Sequence, residues 1–119
     1  MRNFKNYDVW IDAMDLVNSI YTIVEKFPKK EQFSITSQMT RSAISIPSNI
    51  AEGAGRSSGK EFARFLEYSL GSAYELETQL IISEKRTYIS TEELVEIQDI
   101  LISLQKRISG LRKSILNER

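Results

Sequence analysis

Apolar residues recur along this chain at steps of three and four, and no stretch alternates with a period of two, so the pattern predicts helices throughout. Four segments carry it. The first runs from about Tyr7 to Phe27, with Asp8 near its start and Pro28 past its end, where a proline cannot continue a helix. Its predicted seam is Trp10, Ala13, Val17, Ile20, Val24 and Phe27. A second line, Val9, Leu16 and Ile23, repeats every seven residues beside the seam and widens the apolar face.

The second segment starts at Ser34 as N-cap and reaches about Ala54, with Gly53 and Gly55 as stop signals. Its inward line is Ile35, Met39, Ala43, Ile46 and Ile50. Pro47 falls in the middle, where its ring meets the carbonyl of Ala43 and deletes a ladder hydrogen bond at a cost of about 3 kcal/mol. The expectation is a kink at Pro47, or two half-helices. The third segment opens on Ser58-Gly59-Lys60-Glu61, which has the form of a capping box, and runs to about Arg86. Phe62, Leu66, Ser69, Ala73, Leu76, Leu80 and Ser83 form its seam. The small residues Ser69, Gly71, Ser72 and Ala73 predict a close helix crossing at mid-length. The fourth segment opens on a second box, Ser90-Thr91-Glu92-Glu93, and runs to about Asn117. Leu94, Ile97, Leu101, Leu104, Ile108, Leu111 and Ile115 keep a strict three-four alternation, with Val95, Ile102 and Leu116 one position past it.

Long helices joined by short connections are expected to be antiparallel neighbours. The predicted fold is therefore an all-α, up-down-up-down, left-handed four-helix bundle occupying residues 1–119 as a single domain. Val9, Leu16, Ile23, Val95 and Ile102 lie outside the predicted seams. Leaving such side chains wet forgoes about 1.5–3 kcal/mol each, so they are the candidate positions for self-association.

Composition narrows the chemistry. The chain holds 119 residues with 16 basic and 16 acidic side chains, so net charge alone gives no pull toward nucleic acid or anionic lipid. Cysteine and histidine are both absent. Thiolate metal sites are thereby excluded, as is most acid–base chemistry near neutral pH. No apolar run reaches the length of a membrane span, and the polar start followed by Asp8, Asp12 and Asp15 does not resemble a secretion signal. A cytoplasmic location without membrane attachment is expected.

The run Gly53-Ala54-Gly55-Arg56-Ser57-Ser58-Gly59-Lys60 superficially resembles a phosphate loop. A Walker loop needs four residues between its glycine and the Gly-Lys pair, followed by Ser or Thr; Gly55 leaves three, Gly53 leaves five, and Glu61 follows the lysine. It reads as an interhelical loop. Glu75 and Glu77 stand two apart on one helix and so point to different sides, which suits solvated or intersubunit charges better than paired acid–base work. No nucleophile–base pair, metal set, cofactor motif or small-molecule substrate site emerges, and no enzyme is expected.

Basic residues cluster twice. Arg56, Lys60 and Arg64 recur at four-residue steps at the start of the third helix. Lys106, Arg107, Arg112, Lys113 and Arg119 make the end of the fourth helix basic, whereas Glu92, Glu93, Glu96 and Asp99 make its start acidic. Complementation of the helix dipole, at about 0.3–1 kcal/mol per charge, accounts for the second pattern without a ligand. Contact with RNA or DNA is the alternative. No aromatic row is evident beside either cluster in the sequence.

The segments Ser45-Ile46-Pro47-Ser48-Asn49-Ile50-Ala51-Glu52-Gly53, Glu61-Phe62 with Arg64-Phe65-Leu66, Gly71-Ser72, and Glu75-Leu76-Glu77-Thr78-Gln79-Leu80 carry a family resemblance. Val9-Trp10, Ala13-Met14, Thr36-Ser37-Gln38 and Arg41 extend it. The chain resembles the four-helix-bundle proteins encoded in 23S rRNA intervening sequences, and more distantly the accessory protein of diversity-generating retroelements. The resemblance implies a kinked second helix and a homopentameric ring, and it implies no established activity. The distant relative is basic and works with nucleic acid, whereas this chain is neutral. Two functions are therefore expected: a non-enzymatic homo-oligomer that meets RNA, DNA or a nucleoprotein through its basic patches, or an oligomeric scaffold that binds only protein.

Overall fold

Four long helices form because each has an apolar line at helical spacing, and a computed structural model describes them over residues 2–118. A short 3-10 turn, Phe4–Asn6, leads into α1 (Asp8–Val24). A second turn, Lys29–Glu31, precedes α2 (Ile35–Ala54), and α3 (Gly59–Lys85) and α4 (Thr91–Leu116) complete the chain. There is no strand among the described residues. Every helix packs against two others in the cyclic order α1, α2, α3, α4. The body measures 49 × 24 × 19 Å.

Contacts at the two ends fix the antiparallel arrangement. At one end Tyr7, just before α1, stacks edge-on to Phe62 of α3 at 5.6 Å, and Gly59 lies against Ile115 of α4. At the other, Phe27 meets Tyr88 with centroids 5.3 Å apart, and Lys26 pairs with Glu93. One buried apolar cluster runs between these ends and includes Phe62, Leu66, Leu76 and Leu80 of α3 and Leu101, Leu104 and Ile108 of α4.

Several local expectations need correction. α1 ends at Val24 rather than Phe27, and the restriction on the residue before Pro28 keeps Phe27 from extending it; Phe27 is nonetheless buried against Tyr88. Its core line is Val9, Ala13, Leu16, Ile20 and Val24, while Trp10 and Val17 are only partly covered. Val9 and Leu16 thus belong to the chain's own core and are not free for a partner. α2 passes through Pro47 as one α-helix, so two half-helices do not form. Its cap position is Ser34, yet that hydroxyl makes no capping bond.

At the start of α3 the Ser58 hydroxyl accepts from the Glu61 amide at 3.1 Å, but the Glu61 carboxylate turns to Arg64 at 3.5 Å. Only half of that expected box is present. The second box is complete: Ser90 Oγ accepts from the Glu93 amide at 3.0 Å, and Glu93 Oε1 accepts from the Ser90 amide at 2.8 Å. The small residues of α3 do meet a neighbour closely, with the Ser69 hydroxyl donating to the Ile46 carbonyl of α2 at 2.9 Å, but two glycines differ from expectation. Gly71 faces open space, with nothing within 4 Å of where a Cβ would stand, whereas at Gly53 a Cβ would lie 2.6 Å from Phe65 Cβ. Gly53 is therefore a buried residue inside α2 that allows α3 to approach closely, not a stop signal.

Candidate nucleic-acid interface

Antiparallel packing decides what becomes of the two basic clusters. Because Gly59 sits against Ile115, the start of α3 and the last turns of α4 lie side by side. Arg56, Lys60 and Arg64 therefore share one end of the bundle with Arg112 and Lys113. Lys106 and Arg107 lie one to two turns further along α4, and Arg119 lies outside the described residues. Arg2, which sequence reasoning missed, joins this end: its guanidinium donates to the Arg56 carbonyl at 2.7 Å and lies over the Phe62 ring at 4.9 Å. A single arginine six residues before a helix carries no periodic signal, and only the fold returns it to the α2–α3 loop. An open cavity of about 920 Å³ is lined there by Arg2, Tyr7, Ala54, Gly55, Arg56 and Ser57.

The cations at this end differ in their freedom. Arg56 pairs with Glu52 at 3.4 Å and Arg64 with Glu61 at 3.5 Å. Arg107 donates to Asp12 at 2.6 Å, and Arg112 reaches Glu67 at 3.4 Å. Such exposed pairs are worth only about 0–1 kcal/mol, so a phosphate can compete for these arginines. Lys60, Lys106 and Lys113 are exposed and form no ion pair among the described residues.

Two aromatic rings accompany the α3 cluster. Arg56 lies over Phe65 at 4.7 Å, and Arg64 Nε donates to the Tyr68 hydroxyl at 2.8 Å. That hydrogen bond is the first cause holding the Arg64 guanidinium above its ordinary pKa. Phe65 and Tyr68 stand edge to face at 5.5 Å, and Tyr68 is exposed. Both rings are engaged by arginine, so they do not form a bare stacking row for bases.

Glu75 and Glu77 point apart, as their spacing predicts. Glu75 accepts from Ser42 Oγ of α2 at 2.8 Å, and Glu77 accepts from Gln98 at 3.2 Å and Gln105 at 3.0 Å on α4. Glu77 is thus an interhelical bridge rather than a solvated charge. No group of three potential ligands for a metal ion occurs among the described residues. Nor is any helix long and apolar enough to cross a membrane.

The remaining self-association positions divide between two sides of the bundle. Ile23 is half-buried beside α4. Val95 is 51% exposed, and Ile102 is half-buried; both flank the Gln98–Gln105 line that meets α3. Exposed Met14 and Tyr21, missed in the sequence because they fall off the seam, stand about half a turn round α1 from the Asp12–Ser19–Ile23 line that faces α4.

The 23S rRNA-intervening sequence protein family matches residues 5–110, nearly the whole chain. The chain belongs to that family. A crystallised protein from Bacteroides thetaiotaomicron VPI-5482, described as of unknown function and from the S23 ribosomal protein family, is 24% identical. The alignment covers 88% of this chain and 98% of that one with a TM-score of 0.82, which establishes a shared fold. Curated proteins offer no match. Neither the family's description nor the crystallised relative's indicates an enzymatic family, and the relative is described as of unknown function.

Proposed function

We propose that this chain is a non-enzymatic homo-oligomeric bundle that binds RNA or DNA through its basic end, with little preference for sequence. The observation that carries the reading is the convergence of Arg2, Arg56, Lys60, Arg64, Arg112 and Lys113 at one end of the bundle, although they arise from three separate stretches of chain. Lysine and arginine on phosphates position a nucleic acid without reading its bases. Self-association deepens the effect. Apolar side chains lie on opposite sides, Met14 and Tyr21 on α1 and Val95 and Ile102 on α4, and contact between unlike faces generates rings or filaments rather than two-fold dimers. A closed ring, of the five copies implied by the resemblance, would set the basic ends on one rim and raise avidity by about 10² to 10⁴.

The test is a titration of RNA and duplex DNA at low and physiological salt. Wild type is compared with Arg56, Lys60 and Arg64 all changed to Ala, and with Lys106, Arg107, Arg112 and Lys113 neutralised. Engagement of four or five phosphates gives a log–log salt slope of roughly −3 to −5, and each set of substitutions should lower it. The second reading, a scaffold that binds only protein, is favoured by the pairing of Arg56, Arg64, Arg107 and Arg112 with carboxylates of the same chain. It prevails if wild type binds neither nucleic acid at low salt, or if neither set of substitutions changes affinity.

A further inference from the structure

Helices α1 and α4 are tied together by ion pairs near their two ends, Asp12 with Arg107 and Lys26 with Glu93. Between these ties α4 rises about 21 Å, or four turns. Along that length the two helices leave an open groove, made of adjoining cavities of about 280 and 460 Å³ that share Ser19 and Ile100. Its floor is apolar: Leu16 and Ile97 are buried, Ile23 is half-buried, and Ile100 is 45% exposed.

The rim is mainly acidic, and its one lining cation, Arg107, is held by Asp12. Asp15, Glu96 and Asp99 line the rim and form no ion pair among the described residues. The hydroxyls beside them are turned inward: Ser19 donates to the Asp15 carbonyl at 3.3 Å, and Thr22 donates to the Asn18 carbonyl at 3.2 Å. Three carboxylates without an ion pair over a greasy floor present acceptors and negative charge, while the Ser19 and Thr22 hydroxyls are spent on carbonyls of their own helix. An occupant must supply both apolar surface and cations.

We propose that the α1–α4 groove docks an amphipathic helix of a partner protein, with an apolar line flanked by lysines or arginines. A helix of about four turns matches the groove's length and places apolar residues every three or four positions along its floor. Its flanking cations meet Asp15, Glu96 and Asp99. The site lies on the long side of the bundle and meets the basic cluster of α4 only at Arg107, so the substitutions that test it, at Glu96, Asp99 and Ile100, leave every residue of the nucleic-acid proposal in place.

The probe is a fluorescein-labelled synthetic 18-residue helix with a leucine line and flanking lysines, followed by anisotropy at low and physiological salt. The same peptide scrambled, and a version with glutamates replacing the lysines, serve as controls. The lysine helix should bind and both controls should fail. Changing Glu96→Lys with Asp99→Lys should weaken binding about tenfold or more, from the loss of attraction and the added repulsion. Ile100→Ser should weaken it at unchanged helicity and melting temperature, since Ile100 is already half in solvent. The proposal is overturned if the lysine helix does not bind at low salt, if the scrambled peptide binds as well, or if the charge reversal leaves affinity unchanged. It is also overturned if Ile100→Lys disperses a homo-oligomer in the absence of peptide, because the groove would then belong to a second copy of the chain.

Discussion

The Ser69 hydroxyl of α3 donates to the backbone carbonyl of Ile46 at 2.9 Å, immediately before Pro47 on α2. Pro47 removes one ladder donor from this stretch, and the carbonyls around it receive side-chain donors: Ser69 on Ile46, and Asn49 Nδ2 on Ser45 at 2.9 Å. Ser72 adds a bond to Ser45 Oγ at 2.9 Å. The small polar residues of α3 therefore serve the proline turn of α2 as well as allowing close approach. Ser69→Ala leaves a buried carbonyl without this donor and should cost about 1–2 kcal/mol, seen as a lower urea midpoint at unchanged m-value.

Two glycines should respond oppositely to the same substitution. Gly53→Ala places a Cβ 2.6 Å from Phe65 Cβ and 3.2 Å from the Phe62 carbonyl, so α2 and α3 must separate. The overpacking should cost about 1–3 kcal/mol despite alanine's better helix propensity. Gly71→Ala meets nothing within 4 Å and should stabilise by about 0.5–1 kcal/mol. Thermal melts of the two variants would show opposite shifts, and a matching sign would refute the assigned crossing.

α3 ends in a Schellman turn, with Tyr88 N donating to the Ser83 carbonyl and Thr87 N to that of Glu84, both at 2.9 Å. Thr87 takes the left-handed position, with φ at 63°. A β-branched side chain is strained there, so Thr87→Gly should raise stability by about 1 kcal/mol even though it loosens the unfolded chain. Equilibrium denaturation provides the check, and a loss of stability would count against the turn geometry.

The Glu93 carboxyl lies below its ordinary pKa, first because of its hydrogen bond with Lys26 and then through the Ser90 amide. Its folded-state pKa is depressed, so the stability it contributes is present above the unfolded pKa and is lost as pH falls through the lower, folded value. The side chain is 37% exposed, and solvent screening keeps the contribution of the pair below about 1 kcal/mol. Glu93→Gln should therefore lower the urea midpoint near neutral pH and have little effect in strong acid, where wild-type Glu93 is itself protonated.

Sedimentation addresses the apolar sides. Val95→Glu with Ile102→Glu should shift wild-type oligomers toward monomer at micromolar concentration while leaving helicity intact, because neither side chain is fully buried. A wild type that is monomeric at that concentration would remove self-association from the proposed function.

The sequence by itself determined the four helices, their order and most of their ends, because these follow from local physics. An apolar residue every three or four positions marks a buried face, Ser90 and Glu93 close a cap within one turn, and Pro28 bars α1 from continuing past the turn that follows Val24. The proline-containing string at 45–53 also carried the family. Only the tertiary structure decided which of two adjacent lines on α1 faces inward, for Leu16 and Val17 are about 100° apart and both fit an apolar face until α2 and α4 are in place. It also decided that Gly53 joins Ser69 and Ser72 in the close approach of α2 and α3 while Gly71 does not, since a glycine's role depends on what approaches it from another helix. The same holds for the candidate sites: the joining of two basic clusters with Arg2 at one end, and the acidic groove between α1 and α4, arise from contacts between residues dozens of positions apart, for which helical periodicity carries no signal.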